Sequence, residues 1–548
     1  MRRMHKLTAV VLVMMLILAA LAGCSGNKNA EEPAATGGTG QSESGKSNET
    51  KAEEPQKTET IKVSIWERGN APEGQKITDT IMTRWINEEV AGLGIAVEYV
   101  PLPRSEESAK LSAWMASGTA PDVILTYDLN TFLKFASQGG LAPLDESIQK
   151  FGQDIMINNK EAMEAVGTYD GKRYAVMAKK PNKAGPAMSI RKDWLDKLGL
   201  AVPTTLDELY EVLQVFKEQD PGGVGKDKVI PYSIPALGQG AKGFMFGTTY
   251  GAGIDNEGPG TQLYFASGNI VDGQYRSAIT TPEGRNHFQF MNKLYKEGLI
   301  PKEFLTDVNS QKHTENVLAG YVGFVDSNEI AYNLDLKMKE QIPEVDWVTV
   351  EPFIAPDGAQ MTSVGAPYGM FIMVPKTSKD KTDAVIKYLN WMSDPDVQVT
   401  LNDGFEDEHY TIEQGVRIVT DAEKKEKDIK WYSADLQIMS LGLPWYPSDV
   451  ALIQYRDKGE TFARKVVEYR EIMEKYGTYL PTLTNERPFS EKNMSALESM
   501  LYEEISKVII AKDFDAAYDS MLDKWEKIGG PTYDEEVTAG LKEIGRIK

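Results

Sequence analysis

Ile61-Lys62-Val63-Ser64-Ile65-Trp66 alternates apolar and polar side chains, the period of a half-buried strand. Ile77, Ile81, Trp85 and Ile86 then share one helical face, and Gly92 to Gly94 end that helix. Ile95 to Val100 predicts a second strand, and Ser105 to Ser117 a helix closed by Gly118. Asp122-Val123-Ile124-Leu125-Thr126 predicts a short buried strand, and Leu129 to Gln138 a helix ended by Gly139-Gly140. Strand–helix repetition of this kind predicts an α/β fold, a mainly parallel sheet with helices on both faces. Ligands of such sheets sit beyond the carboxyl ends of the strands. Here those ends carry Trp66-Glu67-Arg68 and Tyr127-Asp128.

Downstream, Asp170-Gly171 is a hairpin turn before Lys172 to Met177. Pro186 to Arg191 predicts a strand, and Asp193 to Leu198 a short helix stopped by Gly199. Thr205-Leu206-Asp207-Glu208 fits a capping box opening a helix to about Glu218. Thr281-Pro282 caps another, with Pro at its first position, running to Gly298. Tyr321 to Asp326 and Met370 to Val374 predict buried strands. From Lys379 the chain is mostly helical, with long amphipathic segments near 454–475, 491–511 and 513–527 and no internal repeat.

Upstream, Ser25 to Lys57 holds no aromatic residue and no Leu, Ile, Val or Met. Such a stretch cannot bury enough apolar surface to offset ordering, so residues 24–58 are expected to form a disordered tether. Its reach is about 30 Å on flexible-chain scaling. Before it, Arg2, Arg3 and Lys6 precede an apolar run from Leu7 to Ala22 that ends in Leu21-Ala22-Gly23-Cys24. A charged start, a short apolar run and small residues make a secretory signal over residues 1–23. The run is too short for a membrane span of about 20 residues. Leu21 to Cys24 resembles the bacterial lipoprotein signal. That resemblance implies cleavage before Cys24, diacylation of its thiol, and a chain anchored on the outer face of a bacterial cytoplasmic membrane. Cys24 is the only cysteine, so no intrachain disulfide forms. The 548 residues carry a net charge of −21, or −24 once the three leader cations are removed. An acidic chain repels nucleic acid and anionic lipid, so neither is an expected partner through charge.

The stretch Lys110 to Ile148 carries a more specific signal. It holds an amphipathic helix, then Ser117-Gly118-Thr119-Ala120-Pro121-Asp122-Val123, then Phe135-Ala136-Ser137-Gln138-Gly139-Gly140-Leu141-Ala142-Pro143-Leu144-Asp145. This resembles the family 1 extracellular solute-binding proteins, the lipoprotein or periplasmic receptors of sugar ABC importers. Tyr169 to Ala175, Ile190 to Leu200 and Pro203 to Glu208 continue the pattern in order. Gly404-Phe405-Glu406-Asp407-Glu408-His409-Tyr410 and Gly529-Gly530 resemble a long, Gram-positive branch of it. The resemblance implies a two-lobed, type II periplasmic-binding-protein-like fold with a helix-rich C-terminal part. It places the N-terminal lobe at 59–180 and 318–373, and the C-terminal lobe with its helical extension at 181–317 and 374–548. Crossings between lobes are expected near 175–187, 312–320 and 372–378, with the ligand in the cleft and closure as a hinge motion. Some relatives hold calcium in an Asp-rich loop. Here Asp220-Pro221-Gly222-Gly223-Val224-Gly225-Lys226-Asp227-Lys228-Val229 lacks the six to eight oxygens calcium takes, so no metal is expected.

A sugar ring has apolar C–H faces and a rim of hydroxyls. Aromatic rings suit the faces, and charged or amide groups suit the rim. The candidate platforms are Trp66, Tyr127, Tyr232, Tyr250, Tyr368, Trp445 and Tyr446, at strand ends or in Gly/Pro-rich loops; Trp85, Trp194, Trp391 and Trp525 lie on helices and read as core. Glu67, Arg68, Asp128, Asp326, Glu329 and Glu406 are candidate hydroxyl partners. Arg191 with Asp193 reads as an internal pair, and His409 as an anchor of the 404–410 loop or a ligand contact.

Two enzyme signatures are missing: no His-Glu-x-x-His and no Gly-x-Ser-x-Gly occurs. Gly238-Gln239-Gly240-Ala241-Lys242-Gly243 follows no clear strand and reads as a loop near the cleft, not a dinucleotide site. The leading expectation is a non-catalytic, monomeric receptor without cofactor. It captures an oligosaccharide, passes it to ABC permease subunits, and is held at the membrane by lipid on Cys24. A secreted glycoside hydrolase or lyase, which would need an acid and base carboxylate pair, and a sensor serving a membrane kinase are the alternatives.

Overall fold

Strand β1 (Glu59–Glu67) pairs in parallel with β2 (Ile95–Pro103) from Glu59↔Ile95 to Glu67↔Pro103. Ile61, Val63 and Ile65 turn inward as their alternation predicts, and Ser64 and Trp66 are buried as well, so this end of β1 is covered on both faces. Between β1 and β2 lies α1 (Ile81–Ala91), opened by a capping box between Thr80 and Thr83. Next come α2 (Glu107–Ser117), closed by Gly118 at φ 68°, β3 (Ile124–Thr126) and α3 (Leu129–Ser137). The Asp170-Gly171 turn takes φ of 48° and 70°, the paired left-handed geometry of a tight hairpin. It leads into β4 (Ala175–Lys179). The computed structural model describes residues 58–185, 187–237, 241–242, 268–326, 334–356, 358–479 and 482–547. The expectations for the leader, Cys24, the tether, Tyr250, Glu329 and most of the 238–243 loop lie outside them.

The chain then forms β5 (Met188–Arg191), α4 (Lys192–Leu198), α5 (Leu206–Gln219) and β6 (Ile230–Ser233). The capping box of α5 is present: Glu208 N donates to Thr205 Oγ1 at 3.2 Å and Thr205 N to Glu208 Oε2 at 3.3 Å. Thr205→Ala should therefore cost about 1 kcal/mol of stability. A urea midpoint unchanged by the substitution would show that Thr204, which also donates to Glu208, holds the entry alone. Then follow α6 (Pro282–Lys296), capped by Thr281, β7 (Val322–Val325), β8 (Trp347–Val350) and β9 (Tyr368–Met373). The rest is mainly helical: α7 (Thr382–Met392), α8 (Trp431–Leu436), α9 (Glu460–Tyr476), α10 (Pro488–Ile510), α11 (Phe514–Lys527) and α12 (Gly530–Glu543).

Two main interiors result. In the first, β9 lies antiparallel between β3 and β4, and β3 touches β1 through Ser64 N–Val123 O and Val123 N–Lys62 O, both 2.9 Å. In the second, the strand order is β8-β5-β7-β6, with β6 and β7 parallel. The packing departs from the expected partition in both directions. Val322–Val325 and Trp347–Val350, expected with the N-terminal lobe, stand inside the second sheet. Helix α7, expected with the C-terminal lobe, lays Val385, Ile386, Leu389 and Met392 into the first interior, where Tyr432, Leu436 and Met439 join them. An apolar stripe specifies that a helix is buried, not which interior receives it.

The first link between the interiors falls within the expected 175–187, and the other two differ from expectation, since 372–378 follows a strand of the first interior. The chain leaves the first after Lys179, returns between Val350 and Tyr368, and leaves again after Ser440. The three segments bond to one another: Lys179 N to Met439 O (3.0 Å), Leu441 N to Lys179 O (2.8 Å), Lys180 N to Pro367 O (2.7 Å) and Gly365 N to Ala184 O (3.1 Å). Segment 312–320 is instead the helix Gln311–Leu318 beside the second sheet. A small apolar cluster of Ala187, Val364, Tyr469, Ile472 and Met473 lies at these crossings.

Candidate ligand-binding site

The carboxyl ends of β1 and β3 bring four expected residues together. The rings of Trp66 and Tyr127 stack with centroids 5.0 Å apart and planes at 9°. Trp66 is only 1% exposed and Tyr127 36%, so Trp66 backs the pair and Tyr127 presents the free surface. This corrects the expectation for Trp66, which lies buried behind the Tyr127 ring. Glu107 fixes the arrangement by accepting from Trp66 Nε1 and from Thr126 Oγ1, each at 2.8 Å. The Arg104 guanidinium, paired with Glu107, lies 4.8 Å from the Trp66 ring and 5.3 Å from that of Tyr127. Burial raises the pKa of the Tyr127 hydroxyl against the opposing pull of Arg104 and Arg68.

Arg68 grips Asp435 with both ends of its fork, Nε at 2.9 Å and Nη2 at 2.7 Å from Oδ1. Asp435 is 2% exposed, and its hydrogen bond raises the arginine pKa further. Asp128 caps α3, accepting from Asn130 N, Thr131 N and Thr131 Oγ1. Glu67 is exposed. Beside this cluster lies a cavity of about 380 Å³. Its walls come from both interiors: Asp128, Asn130, Thr131 and Lys134 on one side, and Thr484, Glu486 and Glu491 on the other.

The remaining expected residues are dispersed. Tyr232 is fully buried, its ring against Phe324 and its hydroxyl donating to Asp326 Oδ2 at 2.7 Å. It packs the second interior, and burial raises its pKa well above the ordinary value. Asp326 is 6% exposed. Tyr368 is half-buried, with its hydroxyl 2.5 Å from Thr482 Oγ1, across the two interiors. Trp445 sits at the crossings, its backbone N bonded to Asn182 Oδ1 at 2.7 Å and its ring between Tyr469 and Arg470. The Tyr446 hydroxyl accepts from Arg417 N. Trp194 and Trp525 are core, and Arg191 and Asp193 are joined by two hydrogen bonds.

Glu406 is exposed and His409 is wholly buried, anchoring its loop. Glu408, His409 and Asp428 come within 4.8 Å of one another. His409 Nδ1 accepts from Phe405 N at 3.1 Å, so the proton of the neutral ring is on Nε2, facing Asp428 Oδ2 at 3.6 Å. A protonated nitrogen offers a cation no lone pair, and Lys424 already holds Glu408. In the 220–229 loop, the Asp220 carboxylate accepts from Val224 N (2.9 Å) and Gly225 N (2.8 Å).

Arg104, Glu107 and Asp435 were not among the expected residues. Arg104 follows β2 directly, so the rule that selected Trp66 also reaches it. Asp435 carries no comparable signal: it arrives from a helix 367 residues away.

Two α/β bodies, three crossings and a cavity between them define a two-lobed binding protein. Residues 76–399 match the family described as bacterial extracellular solute-binding protein, and the chain belongs to that family. Lipoprotein LipO of Bacillus subtilis (strain 168) is 26% identical over 465 residues, 81% of this chain and 85% of that one. The polygalacturonan/rhamnogalacturonan-binding protein YtcQ of the same organism is 26% identical over 476 residues, 83% of this chain and 87% of that one. Among solved structures, an HMO-binding, ABC-transporter-associated solute-binding protein from Bifidobacterium longum infantis ATCC 15697 superposes with a TM-score of 0.65. It covers 88% of this chain and 98% of that one at 19% identity, and shares the fold.

Proposed function

We propose that this protein is a non-catalytic receptor that captures an oligosaccharide between its two lobes outside the cell and delivers it to an ABC-type permease. The observation that carries this reading is a cavity walled by both lobes at Asp128, the chain neighbour of Tyr127, whose 36% exposed ring stacks on Trp66. A sugar face against Tyr127 and hydroxyls against Asp128, Glu486 and Glu491 match the chemistry of a saccharide. The saccharide cargo in the printed descriptions of YtcQ and of the Bifidobacterium protein supports it. Glu107, Asp128 and Asp435 are bound by the protein's own donors, which leaves none of the three placed as a general acid. The lipid anchor on Cys24, the tether, the monomeric state and closure by hinge motion at the crossings belong to the same proposal.

Calorimetric titration of the mature chain against an oligosaccharide panel tests the reading. Tyr127→Ala should weaken the bound saccharide about tenfold to hundredfold, the contribution of one aromatic platform, with the sugar recovered intact. Cleaved sugar would turn the reading to a hydrolase or lyase. Binding of peptides alone would keep the fold and discard the substrate class.

A further inference from the structure

We infer that the site takes an uncharged saccharide and excludes chains that carry uronate carboxylates; this rests on the receptor reading above. Among the described residues, the inference comes from following the nearby arginines and the helix starts at the cavity to their partners. Arg68 is held in both directions by Asp435, a buried carboxylate that would be stranded if the arginine turned to a ligand. Arg104 pairs with Glu107, which also holds Trp66 and Thr126. Recruiting that arginine would loosen the aromatic platform. Arg487, between Glu486 and Pro488, is 3% exposed and is not among the residues that wall the cavity.

Helix starts are the other common anion site, because their first amides lack partners. Among the described residues two helices begin at this cavity, and in both the amides of the first turn named here are taken. In α3 the amides of Asn130 and Thr131 go to Asp128. In α10 the amides of Phe489 and Ser490 go to Glu536, each at 2.8 Å. What the wall offers is Lys134 against the carboxylates of Asp128, Glu486 and Glu491. Carboxylates accept from hydroxyls and repel another carboxylate. Discrimination here is by unfavourable charge as much as by favourable contact. Lys179 and Lys180 stand at the first crossing and are not among the residues that wall this cavity.

The test titrates the mature chain with a panel of neutral oligosaccharides and of uronate-containing ones, including oligogalacturonate and its carboxyl-reduced counterpart. The expected result is a neutral ligand whose affinity changes less than about twofold between low and high salt. Its uronate counterpart should bind about a hundredfold more weakly, the effect of like charges brought together. Glu486→Gln with Glu491→Gln should narrow the gap between the neutral and the uronate affinities about tenfold. Tight, salt-sensitive oligogalacturonate binding, lost in Lys179→Ala/Lys180→Ala, would overturn the charge inference and leave the receptor reading standing. Unchanged uronate exclusion in the double glutamine variant would also overturn it, by removing these carboxylates as the cause. Binding of no saccharide of either kind would overturn the receptor reading itself.

Discussion

Lys465→Met is expected to lower folding stability by about 3 kcal/mol, because the buried Asp335 loses one of its two cations. Lys465 is 2% exposed on α9, and its Nζ lies 2.9 Å from Asp335 and 3.4 Å from Asp346. Asp335 has no exposure at all, and its other cationic partner is Lys339 at 3.2 Å. Methionine keeps the volume and removes the charge, so the loss measures electrostatics rather than a cavity. Adding Asp335→Leu should return most of the loss, because it removes the buried carboxylate that Lys465 served and leaves an apolar pair of similar size. Urea unfolding of the wild type and both variants measures this. A single variant within about 1 kcal/mol of wild type would mean that water reaches Asp335. The same helix places the Tyr469 hydroxyl on Gly185 at the first crossing. A loosened α9 should therefore show in ligand closure as well as in stability.

The second large effect concerns acid. His287, on α6, is 5% exposed, and burial pushes its pKa from 6.5 down to about 4. The folded protein thus holds it neutral where the unfolded chain would protonate it. Its contribution is fully present above pH 6.5 and is lost as pH falls through 4, about 3 kcal/mol in all. Asp534, on α12, accepts from Ser277 N and Oγ, yet burial outweighs these bonds and raises its pKa from 3.8 to about 6. Its contribution has the opposite sign: it is present below pH 3.8 and lost as pH rises through 6, again about 3 kcal/mol. Between about pH 4 and 6 the two nearly cancel. His287→Gln should therefore gain stability on acidification relative to wild type, and Asp534→Asn should gain it at neutral pH. The double variant should lose both trends. Parallel pH profiles for all four proteins would refute the pairing.

What could be read from the chain follows a physical line. Local rules held where the interaction is local: the alternation of 61–66, the Thr205–Glu208 capping box and the Asp170-Gly171 turn all have partners within a few residues. Placement of Trp66 and Tyr127 at strand ends was also legible, because a parallel sheet directs ligands there. Which of the two rings is open was not, since it depends on Glu107 and Arg104 arriving from β2 and α2. Tyr232 looked identical in sequence, yet it turns inward against Phe324. The partner of Arg68 and the interior that receives α7 depend on contacts across hundreds of residues, for which periodicity carries no information.

The interleaved interiors also bear on how the molecule is made. The first draws on residues 61–178 and then on 370–439; the second draws on 188–353 and then on 483–547. The nascent chain cannot finish one body and start the next. Thr126 must wait for Phe371 to pair, and Tyr275 must wait for Tyr533. Such long-range closures slow folding and leave half-built apolar surfaces exposed while synthesis continues. Removing the last helix would take Tyr533, Val537 and Leu541 out of an interior that began some three hundred residues earlier. The C-terminal end is therefore the keystone of the second body, not a trim.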